Sequence, residues 1–170
     1  MYKWIGVLLV FGSVVMCGTY PIYCKSCRIR LLMELIDALE KMKVELHSNV
    51  PTLPRLMDSM ALCADGKAKY FFEALNKAMR EKGAMAFYDE WKRQTSKGLQ
   101  TLTYRERAEF LHLGDTLGCY LLEDQVESVE RNLAVLREGA LSTKAYIRER
   151  LKLYLGTSVS VGMLAVILLL

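Results

Sequence analysis

Two stretches of this sequence carry no charge. From Trp4 to Cys24, 21 residues, there is no Lys, Arg, Asp or Glu, and none occurs in the 18 residues from Leu153 to Leu170. A helix needs roughly 20 mostly apolar residues to cross the hydrocarbon core of a bilayer. Both stretches therefore read as transmembrane helices, the second at the lower limit of length. Neither holds Asp, Glu, Lys, Arg or His, which argues against a proton relay or ion pathway within the spans. Histidine is nearly absent: His47 and His112 lie far apart, with no Cys or acid at ligand spacing. No metal site is expected. No nucleophile elbow or metalloprotease helix occurs, so no catalytic residue and no cofactor is expected either. No segment alternates strictly enough to be read as a strand.

What is present lies between the two stretches. All 19 acids and 22 of the 23 bases fall between Lys25 and Lys152, a net charge of +3. Such a mixed surface has no nucleic-acid field. The division implied is a transmembrane helix over 4–24, a helical domain over 25–152 and a second transmembrane helix over 153–170. Lys25, Arg28 and Arg30 crowd the inner edge of the first span and Arg148, Arg150 and Lys152 that of the second. By the excess of basic residues on the inner side, the domain is cytoplasmic and both termini are outside. The same basic residues would attract anionic membrane lipids. A cleaved signal peptide is the competing reading of the N-terminus, but Gly18-Thr-Tyr-Pro21 is a poor cleavage site. Of the five cysteines, Cys24 and Cys27 have redox-motif spacing. They lack a second pair and a strand-helix setting, so they read as juxtamembrane residues open at most to palmitoylation.

The domain reads as helix throughout. Leu32, Leu35, Leu39, Met42 and Leu46 form a stripe at 3-4-3-4 spacing. No Pro interrupts from Ile22 to Val50, so this helix is expected to continue the first span. Pro51 and Pro54 break it, and Pro54 suits the first turn of a short helix ending near Ala64. Asp65-Gly66 is the expected stop. A third helix is expected over Lys67 to Glu81 with Tyr70, Phe71, Ala74, Leu75 and Ala78 inward, stopped by Gly83. A fourth is expected over Met85 to Thr95 with Phe87, Tyr88 and Trp91. Thr103-Tyr-Arg-Glu106 is a capping-box pattern opening a fifth. The last helix, with Leu122, Val126, Val129, Leu133, Leu136, Ala140, Thr143 and Ile147 on one stripe, is expected to run from about Leu121 through the second span. The fold class is thus all-α: an antiparallel bundle of about six helices, the first and last continuous with the transmembrane helices.

Leu113-Gly-Asp-Thr-Leu-Gly118 lacks the Lys-Ser/Thr pair and preceding strand of a phosphate cradle. Its glycines are read as structural. Gly114 lets a neighbouring helix approach, and Gly118 ends a helix in the left-handed conformation. In the second span, Gly156 with Ser160 and Ser158 with Gly162 would permit close helix packing.

Glu45-Leu-His-Ser-Asn-Val-Pro51 with Leu53-Pro54, Trp91, Leu113 to Gly118, Gln125, and Leu155-Gly156 leading to Val166-Ile-Leu-Leu-Leu170 together resemble the stage III sporulation protein AB family. The likeness extends over nearly the whole chain. Val50-Pro51-Thr52 departs from the Thr-Pro-Leu of that pattern, and Cys24 and Cys27 are foreign to it. That family in turn resembles the cytoplasmic domains of inner-membrane platform proteins of type II secretion and type IV pilus machines. The resemblance implies a scaffold in the mother-cell membrane around the forespore, part of the channel between the two cells. It implies docking onto a cytoplasmic hexameric ATPase of the same sporulation system, contact with other channel membrane proteins, and possible homo-oligomers. Residues expected at the partner surface are Glu45, Asn49, Pro51 and Pro54, where the first helix reaches farthest from the membrane. Trp91, Gly114, Gly118 and Gln125 are expected to be structural. The alternative is a membrane-anchored helical signalling or adaptor protein. That reading needs a sizeable external sensor, for which three residues before the first span leave no room.

Overall fold

A computed structural model gives the structure of the chain. It describes the backbone of residues 2–49, 51–119 and 121–169, and side chains over 25–48, 51–83, 85–117, 121–151 and 153. Among the described residues six helices follow one another: α1 Tyr2–Asn49, α2 Leu53–Cys63, α3 Gly66–Lys82, α4 Phe87–Gly98, α5 Tyr104–Cys119 and α6 Leu122–Leu169. A single 3-10 turn, Ala84–Ala86, leads into α4. No strand occurs among the described residues. The chain divides into two compact units, one of Met1–Ile29 with Leu141–Leu170 and one of Arg30–Ala140. Among the described residues, no helix is long and apolar enough to cross a membrane. Nearly all side chains of the two expected spans, 4–24 and 153–170, lie outside those described.

The Arg30–Ala140 unit is a helical bundle. Side-chain ties run in opposite order along neighbouring helices, which makes each pair antiparallel. Lys43 pairs with Glu130 and Glu40 with Arg137 across α1 and α6. Asn132 Nδ2 donates to the Glu109 carbonyl, and Arg105 pairs with Glu138, across α5 and α6. The expected α1 stripe is the core: Leu32, Leu35, Leu39, Met42 and Leu46 are all buried, joined by Leu31, Ile36 and Ala38. On α6, Val129, Leu133, Leu136, Ala140 and Thr143 are buried as their spacing predicts. Ser128, Asn132 and Val135 are buried beside them. Within the bundle α6 meets both α1 and α5, so it hides a wider face than one stripe.

Several local expectations need correction. Of the residues expected inward on α3, Phe71, Leu75 and Ala78 are buried and Ala74 is half-buried, but Tyr70 is 73% exposed; Ala68, Phe72 and Met79 complete the buried face. Gly118 is not a left-handed helix terminator, because α5 continues through it to Cys119. The left-handed glycines described are Gly66, φ 57°, and Gly83, φ 80°. Gly83 terminates α3 as expected, its N–H donating to the Met79 carbonyl. Ala64 closes α2 in extended conformation, and Asp65 stands at the N-cap of α3 without a side-chain capping bond.

The capping box at the start of α5 is formed. Thr103 N–H donates to Glu106 Oε2 at 2.7 Å, and Glu106 N–H donates to Thr103 Oγ1 at 3.4 Å. Thr103→Ala is expected to cost about 1 kcal/mol, read as a lowered unfolding midpoint of the purified chain by circular dichroism. No change would mean that the cap contributes nothing in solution.

Candidate functional site

Several polar and aromatic side chains of the bundle join one helix to another. Trp91, from α4, is fully buried and sits between Phe71, Phe87 and Phe110 at centroid distances of 5.0–5.4 Å. Its Nε1–H donates to the Phe110 carbonyl at 2.7 Å, so the polar end of the indole is satisfied inside the core. The ring can reach that carbonyl because residue 114, one turn on, has no side chain. A Cβ on Gly114 would lie 2.3 Å from Trp91 Cδ1. The expected close approach at Gly114 is therefore present, with the indole as the group that approaches. Gln125 is half-buried in the first turn of α6, its N–H bonded to the Leu121 carbonyl at 3.1 Å. Gly118 lies in the last turn of α5.

The residues expected to meet a partner lie at the end of α1 and the start of α2. Asn49 ends α1, and its side chain lies outside the described residues. Pro51 is half-buried and Pro54 exposed, the latter in the first turn of α2 as its fixed φ allows. Glu45 is half-buried, and its carboxylate accepts a hydrogen bond from Ser59 Oγ on α2. It thus holds α1 to α2, while its neighbours Lys41, Val44 and Ser48 line a shallow groove with it. A second groove on the other side of Val44 is bounded by Glu40, Lys43, His47, Glu130 and Arg137. Val44 itself is 65% exposed. This α1 face is an apolar ridge flanked by charges of both signs.

Two further residues on the same line of α1 carry structural roles that the sequence pattern does not show. Glu34, Lys41 and Glu45 are spaced by seven and four, which places them on one helix face. Glu34 Oε2 accepts the Lys67 N–H at 2.7 Å, a carboxylate at the positive end of α3. Lys41 Nζ donates to the Cys63 carbonyl, an ammonium at the negative end of α2. Each contact spans more than 20 residues of sequence, so no local motif announces it.

Three carboxyls are held below their ordinary range. For Asp58 the cause is first the hydrogen bond from Arg80, then that from Asn76. For Glu130 it is the hydrogen bond and charge of Lys43, with a smaller contribution from His47. For Glu90, burial alone would raise the value; hydrogen bonds from Arg93 and Gln94 together outweigh it. All three stay ionised at neutral pH, held in ion pairs and hydrogen bonds. Among the described residues no group of three His, Cys, Asp or Glu side chains could hold a metal ion.

The sequence model of one protein family, described as stage III sporulation protein AB, matches residues 3–170. A solved structure titled "Stage III sporulation protein AB (SpoIIIAB)" is similar, with a TM-score of 0.57 and 19% identity. The likeness covers 69% of this chain and 94% of that one. At that identity it speaks for the fold alone. Comparison with curated proteins gives no match.

Proposed function

The chain belongs to the stage III sporulation protein AB family, and from that premise we propose that it is a membrane platform of the sporulation channel between mother cell and forespore. Two transmembrane helices, 4–24 and 153–170, anchor it in the mother-cell membrane surrounding the forespore. The bundle between them works in the cytoplasm as a non-catalytic scaffold. It couples a hexameric ATPase of the same system to the other membrane proteins of the channel. The observation that carries this reading is the contrast between two charge-free ends and a charged helical bundle. Within that bundle, Lys43 with Glu130, Glu40 with Arg137, Asp58 with Arg80 and Arg105 with Glu138 tie helix to helix. Such a body offers surfaces to bind and a rigid frame to transmit force.

Topology is tested by single cysteines in place of Glu73 and Tyr104, both exposed, probed from either side of the membrane. Glu106 is unsuitable because it is buried in the capping box. Labelling from the cytoplasm is expected; labelling from outside overturns the platform. Docking is tested by binding of the reconstituted full-length protein to the ATPase across salt concentrations. An interface of exposed charges is expected to weaken as salt rises. Glu45→Lys is expected to weaken binding by about tenfold. Ser59→Ala removes the intramolecular bond to Glu45 while keeping its charge, and is expected to leave binding within about twofold. Equal losses in the two variants would make Glu45 a purely structural residue, and salt-independent binding would sink the electrostatic interface.

A further inference from the structure

Basic residues outnumber acids in the described part of the unit of Met1–Ile29 and Leu141–Leu170. Over 25–29 and 141–151 the sequence has five bases, Lys25, Arg28, Lys144, Arg148 and Arg150, against one acid, Glu149. Among the described residues of the bundle nine bases reach a carboxylate, Lys43, Arg80, Arg105 and Arg137 among them across helices, and Lys41 and Arg107 donate to backbone carbonyls. Lys25, Lys144, Arg148 and Arg150 have no ion-pair partner among the described residues. Two of them converge instead on one aromatic ring. Lys25 Nζ, from α1, and Arg150 Cζ, from α6, each lie 5.3 Å from the centroid of Tyr146. Tyr146 and Arg150 are one turn apart, so that contact is set by the helix itself. Lys25 comes from the other helix.

Gathering two cations on one ring costs Coulomb repulsion. Each cation–π contact at an exposed site returns only about 0.5–1 kcal/mol. The arrangement lacks an anion, and its position indicates which. Lys25 follows Cys24, the last residue of the first charge-free stretch, and Arg150 lies three residues before the second. On the membrane reading above, on which this inference rests, that level is the headgroup layer, where tyrosine and basic residues concentrate. We propose that Lys25, Tyr146 and Arg150 form a site for the phosphate of an anionic phospholipid. The two cations bind the phosphate, and the Tyr146 ring fixes their separation.

The test uses the full-length protein purified in mild detergent. Native mass spectrometry would count bound lipid after addition of phosphatidylglycerol or phosphatidylcholine. Retention of phosphatidylglycerol is expected to exceed that of phosphatidylcholine by about tenfold or more. Lys25→Gln with Arg150→Gln is expected to abolish most of that preference, at about fivefold per cation near the membrane surface. Lys77→Gln with Arg93→Gln, the same charge loss on the bundle, is expected to leave it intact. Tyr146→Leu keeps every charge and is expected to lose about threefold or more. Full retention by Tyr146→Leu, or equal loss in the bundle control, would reduce the effect to net charge and overturn the site. Displacement by millimolar inorganic phosphate would overturn the lipid as its ligand. Alkaline carbonate extraction separates the two levels of the argument. A chain that resists extraction but shows no lipid preference overturns this site alone; a chain released by it overturns the membrane reading and this site together.

Discussion

Replacing Gly114 by Val is expected to destabilise the bundle by about 3 kcal/mol or more. Helix propensity alone gives the opposite sign. Gly is the weakest helix former after Pro, and Ala at a helix interior gains about 1 kcal/mol over it. Packing decides the matter. A Cβ on residue 114 falls 2.3–2.5 Å from three atoms of the Trp91 indole, and that ring has nowhere to go. It is held by edge contacts to Phe71, by stacking on Phe110 and by its own hydrogen bond to the Phe110 carbonyl. Either the indole leaves that bond and the core is strained, or α4 and α5 separate. Gly114→Ala should destabilise in the same direction by a smaller amount. Trp91→Ala should cost about 3–5 kcal/mol by itself, but it opens room for a side chain at 114. The double variant Trp91→Ala, Gly114→Ala is therefore expected to be more stable than the sum of its parts predicts, by roughly 1–2 kcal/mol. Thermal or denaturant unfolding of the four proteins measures that coupling. A neutral or stabilising Gly114→Ala would show that the close approach does not exist in solution.

The features legible in the sequence are those whose cause lies within a few residues. Leu32 to Leu46 form the core of α1 because a 3-4 repeat can bury only one side of a helix. Thr103 and Glu106 form a box because one turn brings each side chain to the other's backbone. Gly83 ends α3 in the left-handed region, as a glycine after a helical stripe suggests. Trp91 and Gly114 could be recognised separately as structural, but not as partners. The errors have the converse origin. The stripe of Tyr70, Phe71, Ala74, Leu75 and Ala78 on α3 omits Phe72, which is fully buried while Tyr70 is exposed, because the packing of α3 against its neighbours fixes the edge of the buried face. Gly118 had the composition of a stop signal, yet α5 needs none there and runs one residue further. Glu34 and Lys41 looked like ordinary solvated positions on α1, because the helix ends they cap lie 33 and 22 residues away in sequence. Of the candidate partner residues, Glu45 was legible as exposed charge, but its bond to Ser59 depends on the fold.

Gly66 is the other position where one added carbon should matter most, and it ties these long-range contacts together. It opens α3 at φ 57°, a conformation that costs an L-residue roughly 1–2 kcal/mol. A Cβ there would also lie 2.2 Å from Glu34 Oε1, so the carboxylate must move away. Moving it breaks the bond from Lys67 N–H and strips the first turn of α3 of its only described side-chain cap. A hydrogen bond to a charged group contributes about 1.5–3 kcal/mol. Gly66→Ala is therefore expected to cost about 3 kcal/mol in total, far above the few tenths usual for an exposed surface position. Glu34→Ala should cost the cap and the small contribution of its exposed pair with Arg30, about 1–2 kcal/mol together. Once Glu34 is absent, Gly66→Ala has only its backbone strain left to add. The double variant should thus fall short of additivity by about the value of the cap. Hydrogen exchange gives a local reading of the same contact. The Lys67 amide should lose protection in Glu34→Ala and in Gly66→Ala, while amides in the middle of α5 change only with global stability. Glu34→Gln separates charge from contact: it keeps an acceptor oxygen but not the negative charge at the helix end. Its cost should lie between zero and that of Glu34→Ala, and should shrink as salt is added to the wild type. Strict additivity of Gly66→Ala and Glu34→Ala, with Lys67 exchange unchanged in both, would show that α1 does not cap α3. The Arg30–Ala140 bundle would then hold α1 to the α2–α3 hairpin by apolar packing and the remaining ties from Lys41 and Glu45.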